Sequence, residues 1–210
     1  MAEPTIQHAD PGGPAPMRRL RRAERREQII TAATRAFART GFTATSLDDI
    51  AAEAGISRVI LYRHFDSKTD LYQAVLDRAC IRLAETVGTA DYGDQTIPTL
   101  LAAASADPDG FRLLFRHAAR EPDFHEMTDQ LTAAATDIAR RHIAALVPDP
   151  QWARWAGQLA PMLAIEAVIA WLDAGQPDPD QAAERVAHAI DGVIQAALLG
   201  HRDTPATGRG

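Results

Sequence analysis

The sequence predicts an all-α protein in which a small N-terminal helical domain precedes a larger helical bundle. Apolar residues recur with the period of a helix, and no segment alternates as a strand would. Hydrophobic residues make up 46% of the chain but aromatic residues only 6%, so alanine and leucine must supply most of the packing. Prolines and glycines divide the periodic segments into about nine helices.

The chain has 210 residues, one cysteine and a net charge of -6. This length suits one large domain or two small ones. The single cysteine, Cys80, excludes an internal disulfide, and no apolar run indicates a transmembrane helix or a signal peptide. We therefore expect a cytoplasmic protein that does not bind a membrane.

The two ends of the chain differ from the rest. Residues 1–17 hold four prolines and two glycines without an apolar period, and residues 201–210 are similar. Such segments bury too little apolar surface to fold, so both are predicted to be disordered. Between them we expect one domain over residues 18–68 and a larger one over residues 69–200, sharing the fourth helix.

Capping signals place the first two helices. Apolar residues on one face predict a helix over residues 23–39, which Gly41 ends. Ser46 is a candidate N-cap for the second helix, and Asp49 three residues later completes a capping box. Gly55 ends that short helix and permits a tight turn.

The next two helices follow the turn "AGIS". Ser57 is expected to cap a third helix over residues 58–65, and Ser67 a fourth over residues 68–87. Two short helices joined by such a turn predict a helix-turn-helix.

The third helix carries two kinds of side chain. Leu61 and Phe65 lie one turn apart and should face the core, which directs Val59, Tyr62 and Arg63 outward. Apolar groups can contact thymine methyls and arginine can bind guanine, so this face suits a DNA groove. The helix-turn-helix therefore indicates a DNA-binding function.

Positive charge is concentrated near this motif. From Met17 to Lys68 the chain has 11 lysines and arginines against 6 acidic residues, a net charge of +5, although the whole chain is acidic. The run "RRLRRAERR" holds six arginines between Arg18 and Arg26. It is either a solvated tail or a basic arm that contacts the DNA backbone or minor groove.

Five further helices follow. Their starts are marked by proline, which is favoured in the first turn of a helix. They are predicted to begin near Thr96, Pro108, Pro122, Pro150 and Pro179, and the last three to end near Leu146, Ala174 and Leu199.

The segment "GFTATSLDDIAAEAGISRVILYRHFDSKTDLYQAV" resembles the DNA-binding domain of the TetR family of bacterial transcriptional regulators. The matching points are Gly41-Phe42, Thr45-Ser46, Ile50-Ala51, Ala54-Gly55-Ile56-Ser57, Leu61-Tyr62, His64-Phe65, Ser67-Lys68 and Leu71. The resemblance implies a homodimer that binds a palindromic operator on double-stranded DNA. It also implies a small-molecule effector bound in the C-terminal bundle, which in most members releases the repressor from DNA.

The resemblance also implies individual DNA contacts. Base or methyl contacts are expected from Arg58, Val59, Ile60 and Arg63. Phosphate contacts are expected from Ser46, Tyr62, His64 and Lys68. Val59 and Ile60 are bulkier than the residues usual in the family, so they either contact thymine methyls or, for Ile60, pack inward.

The eighth and ninth helices are the expected dimer interface. Small residues such as Ala164 and Ala167 lie beside large apolar ones on the eighth helix, and Ile190 and Ile194 belong to an apolar stripe on the ninth. Small residues let helices approach closely, so two helices from each subunit can form a four-helix bundle. Burial within one subunit is the alternative.

An apolar effector pocket is expected among the fourth to eighth helices. Its candidate lining residues are Phe111, Phe115, Phe124, Met127, Trp152, Trp155 and Met162, although each type is more often found in a core. Pro161 is expected to kink the eighth helix beside Gly157 and make room for the cavity. Glu166, in an apolar run, either pairs with an arginine across the subunit interface or within the bundle, or is a polar anchor for the ligand.

The stripe Arg112, Arg116 and Arg120 is either a salt-bridged face or an ion-pair link to the DNA-binding domain.

Two other functions are alternatives to a ligand-responsive regulator. No phosphate-binding loop, nucleophile elbow or zinc-protease motif is present, so an all-helical enzyme is a minor alternative, and no cofactor or metal is expected. A DNA-organising protein without a ligand is the other alternative.

Overall fold

The computed structural model describes residues 21–88, 93 and 95–199, and every regular element in this part of the chain is helical. The tails predicted to be disordered, residues 1–17 and 201–210, lie outside the described residues.

The helices follow the predicted order. In sequence they are α1 (Arg22–Ala44), α2 (Leu47–Glu53), α3 (Arg58–Tyr62), α4 (Lys68–Val87), α5 (Thr96–Ala106), α6 (Pro108–Arg112), α7 (His125–Leu146), α8 (Pro150–Asp173) and α9 (Pro179–Ala197). A π-helical turn, Leu113–His117, and a 3-10 turn, Ala118–Arg120, join α6 to α7. The sequence predicted neither turn, and it extended the third helix three residues too far.

Helices α1 to α4, here called the head, enclose an apolar core. Ile29, Phe37, Leu61 and Tyr72 have no exposed surface, and Phe65 is only 2% exposed. Burying each such side chain stabilises the fold by about 1.5–3 kcal/mol. The same cluster contains four residues from beyond the head: Leu113, Leu114, Ala118 and Phe124.

Two further apolar clusters hold the bundle together. One joins α5, α6, α8 and α9 around Leu101, Phe111 and Val168. The other joins α7, α8 and α9 around Ile143 and Ala156. Helix α8 belongs to both and is the central helix of the bundle.

Helix α8 runs without interruption through Pro161, which is buried. Gly157 lies against α7, where an added Cβ would come within 2.6 Å of Cγ of Arg140. The prediction that this stretch opens a cavity is therefore wrong, because Gly157 serves close helix packing. In the described chain α8 alone is long and apolar enough to cross a membrane, but half of that window is buried, as in a core helix.

Candidate nucleic-acid interface

The helix-turn-helix is fixed by its turns. Ser46 Oγ accepts a hydrogen bond from the amide of Asp49 at 3.1 Å, and Asp49 Oδ2 accepts one from the amide of Ser46 at 3.1 Å, which confirms the capping box. Hydrogen bonds from Ser46 lower the pKa of Asp49. Gly55 adopts φ 63°, a conformation that favours glycine. Ser57 occupies the N-cap position of α3, as predicted, but its side chain makes no capping bond.

Helix α3 presents a half-apolar, half-basic face to solvent. Leu61 is buried, as predicted, whereas Val59 is 64% and Tyr62 44% exposed. Arg63 is also exposed, and Ile60 is half-buried. The exposed side chains are those from which sequence analysis expected DNA contacts, together with the exposed Ser46 at the start of α2.

Arg58 is held in place by two neighbours. Its guanidinium forms an ion pair with Asp48 of α2 at 3.0 Å and donates to the hydroxyl of Tyr62 at 3.1 Å. The guanidinium also lies 5.5 Å from the centre of the Tyr62 ring. The bond to Tyr62 and the charge of Asp48 both raise the pKa of Arg58. Asp48 was not among the predicted site residues, because its role depends on a contact across the turn.

The ammonium group of Lys68 points into the head. It donates to the carbonyl oxygens of Phe42 at 2.8 Å and Thr45 at 3.1 Å. It also lies 4.4 Å from the centre of the Phe42 ring, a cation–π contact. Lys68, from which a contact to a DNA phosphate is expected, therefore also ties the start of α4 to the end of α1.

His64, which follows α3, lies beside basic side chains from the start of α1. Burial, followed by the charges of Arg22, Arg25 and Arg26, lowers the pKa of His64. The guanidinium of Arg26 lies 5.0 Å from the centre of the Phe65 ring. Part of the arginine run is thus built into α1 beside α3, whereas residues 18–20 lie outside the described chain.

The predicted ligand residues are not brought together. Phe111 lines a cavity between α4, α5 and α6, and Phe115 packs on its ring at 4.8 Å. Phe124 and Met127 belong to the head core. The remaining four are exposed on α8: Trp152, Trp155, Met162 and Glu166. Glu166 is exposed in the single chain, so it is not a buried carboxylate within the bundle, whereas a pair with an arginine across a subunit interface stays a prediction.

The arginine stripe lies on the bundle rather than on the head. Arg112 and Arg116 both bind Asp173 at the end of α8, at 3.0 and 2.9 Å. These bonds, that of Arg116 above all, lower the pKa of Asp173. The salt-bridged face is therefore the correct interpretation for these two arginines, and within the described part of the chain neither forms an ion pair to the head.

No group of three or more metal-ligating side chains occurs among the residues that the structure describes. Cys80 contacts the sulfur of Met127 at 3.3 Å, and burial raises the pKa of its thiol to about 11. Cys80 is therefore a core thiol of low reactivity.

Comparisons with known proteins agree with this geometry. The family described as "Bacterial regulatory proteins, tetR family" matches residues 29–75. Over 207 residues the chain is 32% identical to the HTH-type transcriptional activator FasR of Mycolicibacterium smegmatis, an alignment that covers 93% of this chain and 91% of FasR. Over 54 residues, 26% of each chain, it is 52% identical to the HTH-type transcriptional regulator TtgR of Pseudomonas putida.

The fold is also shared with a solved structure. A TetR-like transcriptional regulator from Rhodococcus sp. RHA1 superimposes with a TM-score of 0.72 at 22% identity, covering 87% of this chain and all of that one. The helix-turn-helix, the helical bundle behind it and the nearly full-length similarity to FasR lead to one conclusion: this chain belongs to the TetR family of bacterial transcriptional regulators.

Proposed function

We propose that the protein is a ligand-responsive transcriptional regulator that binds a palindromic operator as a homodimer and is released by a small, mostly apolar molecule. The observation that carries this proposal is the exposed face of α3, where Val59, Tyr62 and Arg63 stand clear of the head core. An apolar and basic helix face of this kind fits the major groove. The protein acts in the cytoplasm and has no enzymatic activity.

The DNA contacts divide into two groups. Arg58, Val59, Ile60 and Arg63 contact bases or thymine methyls, and Ser46, Tyr62, His64 and Lys68 contact phosphates. Phosphate contacts set the position of the helix, and base contacts set the sequence that it selects. The half-buried position of Ile60 favours a packing role with only its edge toward DNA.

A mobility-shift titration tests this assignment. Tyr62→Ala and Arg63→Ala should each weaken operator binding while helix content and oligomeric state stay unchanged. Arg63→Ala should also relax base preference at one operator position, at a cost of about 1–3 kcal/mol. Arg141→Ala, which removes an exposed arginine of α7, is the matched control. Wild-type affinity in both head variants would refute the proposed interface.

Activation of transcription is a second candidate. The relative that matches nearly the whole chain is named a transcriptional activator, whereas TtgR matches over only 54 residues. Run-off transcription from a promoter that carries the operator distinguishes the two, because a repressor lowers and an activator raises the amount of transcript. A DNA-organising protein would leave transcript amounts insensitive to any ligand.

A further inference from the structure

A cavity of about 340 Å³ lies between α4, α5 and α6. Its inner wall is apolar and includes Leu83, Phe111 and Leu114. Three charged side chains also line it: Arg82 and Glu85 of α4, and Asp107 at the start of α6. A site with an apolar interior and a few polar groups suits a small amphipathic ligand.

The charges of the cavity favour a cation. One arginine stands against two carboxylates, and the arginine is already paired: Arg82 Nη1 lies 3.2 Å from Asp107 Oδ2. Glu85 is exposed and has no ion-pair partner among the described residues. An anion would be repelled by two carboxylates, whereas an ammonium group would be attracted by both.

Asp107 is the better fixed member of the ion pair. Its Oδ1 accepts a hydrogen bond from the amide of Gly110 at 3.1 Å and so caps α6. An added Cβ at Gly110 would come within 2.6 Å of Asp107 Oδ2, so glycine is what lets the carboxylate lie there. The side chain of Asp107 is 16% exposed and that of Arg82 is 48% exposed. A ligand can therefore displace Arg82 into water while Asp107 stays in place.

The cavity wall continues into the head. Leu114 lines the cavity and belongs to the head core. One turn further along, His117 lies against α1, where an added Cβ at Gly41 would come within 3.4 Å of its Nδ1. On α4, Arg78 lies one turn before Arg82 and donates to the hydroxyls of Thr31 and Thr34 of α1 at 2.8 and 2.6 Å. The Arg82–Asp107 pair thus joins two elements that both hold α1.

We propose that this cavity binds an apolar molecule carrying an ammonium group, and that the ammonium replaces Arg82 at Asp107. This inference rests on the proposed ligand-responsive function and gives the effector a chemical class. Loss of the Arg82–Asp107 bond uncouples α4 from α6, and the two elements then hold α1 in a different position. The head no longer presents α3 to DNA as it does in the free protein.

Three probes of similar shape and different charge test the ligand class: 4-phenylbutylamine, 4-phenylbutan-1-ol and 4-phenylbutyrate. Isothermal titration of the full chain should show that the amine binds at least about ten-fold more tightly than the alcohol, and that the carboxylate binds most weakly. Equal affinities, tighter binding of the carboxylate, or no binding of the amine would overturn the proposal.

Two variants test the anchoring atoms. Asp107→Asn keeps a side chain that caps helices well, so α6 should still form, but the affinity of the amine should fall to that of the alcohol. Arg82→Gln leaves Asp107 unpaired, so the affinity of the amine should rise. Asp109→Asn is the matched control, since Asp109 is a neighbouring half-exposed carboxylate that does not line the cavity. An unchanged affinity in Asp107→Asn would refute the anchor.

Operator binding is measured separately from ligand binding. The amine should weaken operator binding by the wild type and not by Asp107→Asn. If the amine binds through Asp107 but operator binding does not change, the coupling is refuted and the site stands. If the wild type binds no operator at all, the proposed regulatory function fails, while the titrations still decide whether the cavity takes a cation.

Discussion

The ammonium of Lys68 donates to the carbonyl oxygens of Phe42 and Thr45, so in the DNA-free protein this positive charge already has hydrogen-bond partners inside the head. Arg58 is likewise engaged with Asp48 and Tyr62. Motif position predicts that such residues touch DNA, but it does not reveal what holds them in the free protein. Phe42 lies 26 positions from Lys68 and Asp48 lies 10 positions from Arg58, and no local sequence pattern indicates these two contacts.

Lys68→Met should reduce stability as well as DNA binding. The variant leaves the carbonyl groups of Phe42 and Thr45 without their charged donor, which should lower the free energy of unfolding by about 1–3 kcal/mol. Urea unfolding measures the stability, and a salt series of operator titrations measures the number of phosphate contacts. Unchanged stability with a salt slope reduced by about one unit would instead indicate a purely DNA-contacting lysine.

Asp48→Asn should make the head less selective. Without its ion pair Arg58 is free to bind phosphates, and one negative charge is removed close to the expected DNA backbone. Affinity for unrelated DNA should rise several-fold and more than affinity for the operator, as competition titrations would measure. Asp123→Asn, an equal charge change at an exposed site of the bundle, should leave the ratio of the two affinities unchanged.

At the scale of elements, sequence signals located most helix boundaries. The caps Ser46, Ser67 and Asp149 accept backbone hydrogen bonds as such residues do at helix starts. The π-helical turn after α6 was not predictable, because a single extra residue in a turn leaves the apolar pattern almost unchanged. The exposure of Glu166 in the single chain was not predictable for a related reason: α8 is apolar on most sides, so its period does not show which face is buried within the subunit.

The π-helical turn carries a titratable contact to the head. Burial lowers the pKa of His117, although its hydrogen bond to the backbone of Ala38 opposes this. Below pH 6.5 the unfolded chain therefore binds a proton that the folded chain resists, and the free energy of unfolding should fall as the pH drops.

His117→Gln should reduce this loss of stability. Urea unfolding at pH 7.5 and pH 5 should show a smaller difference for the variant than for the wild type. Part of the difference should persist, because the pKa of His64 is lowered as well. An identical difference in both proteins would show that His117 does not contribute to acid sensitivity.

At the scale of the whole molecule, helix α8 leaves large apolar side chains exposed to solvent. Helix α8 exposes Trp152, Trp155 and Met162, of which Met162 is 58% exposed. Large apolar groups gathered on one helix of a single chain indicate a surface that a partner covers. The expected partner is a second copy, packed through α8 and α9.

Met162→Asp should therefore dissociate the dimer. A carboxylate buried between two apolar helices is costly without a partner, so sedimentation should shift toward the mass of one chain. Ile81→Asp is the control, because Ile81 is similarly exposed, at 57%, but lies on α4. Operator affinity should fall with Met162→Asp and persist with Ile81→Asp. A monomeric wild type, or a dimeric Met162→Asp, would refute this interface.

The interior of the head is completed by residues that come after it. Leu113, Leu114, Ala118 and Phe124 are buried in the same cluster as the side chains of α1 to α4. A head transplanted onto another regulator by a junction at the end of α4 would lose these four and expose Tyr72 to water. Recombination between relatives, in nature or in the laboratory, should succeed when the crossover falls after residue 124, so DNA specificity and all the residues that line the proposed effector cavity would be inherited together.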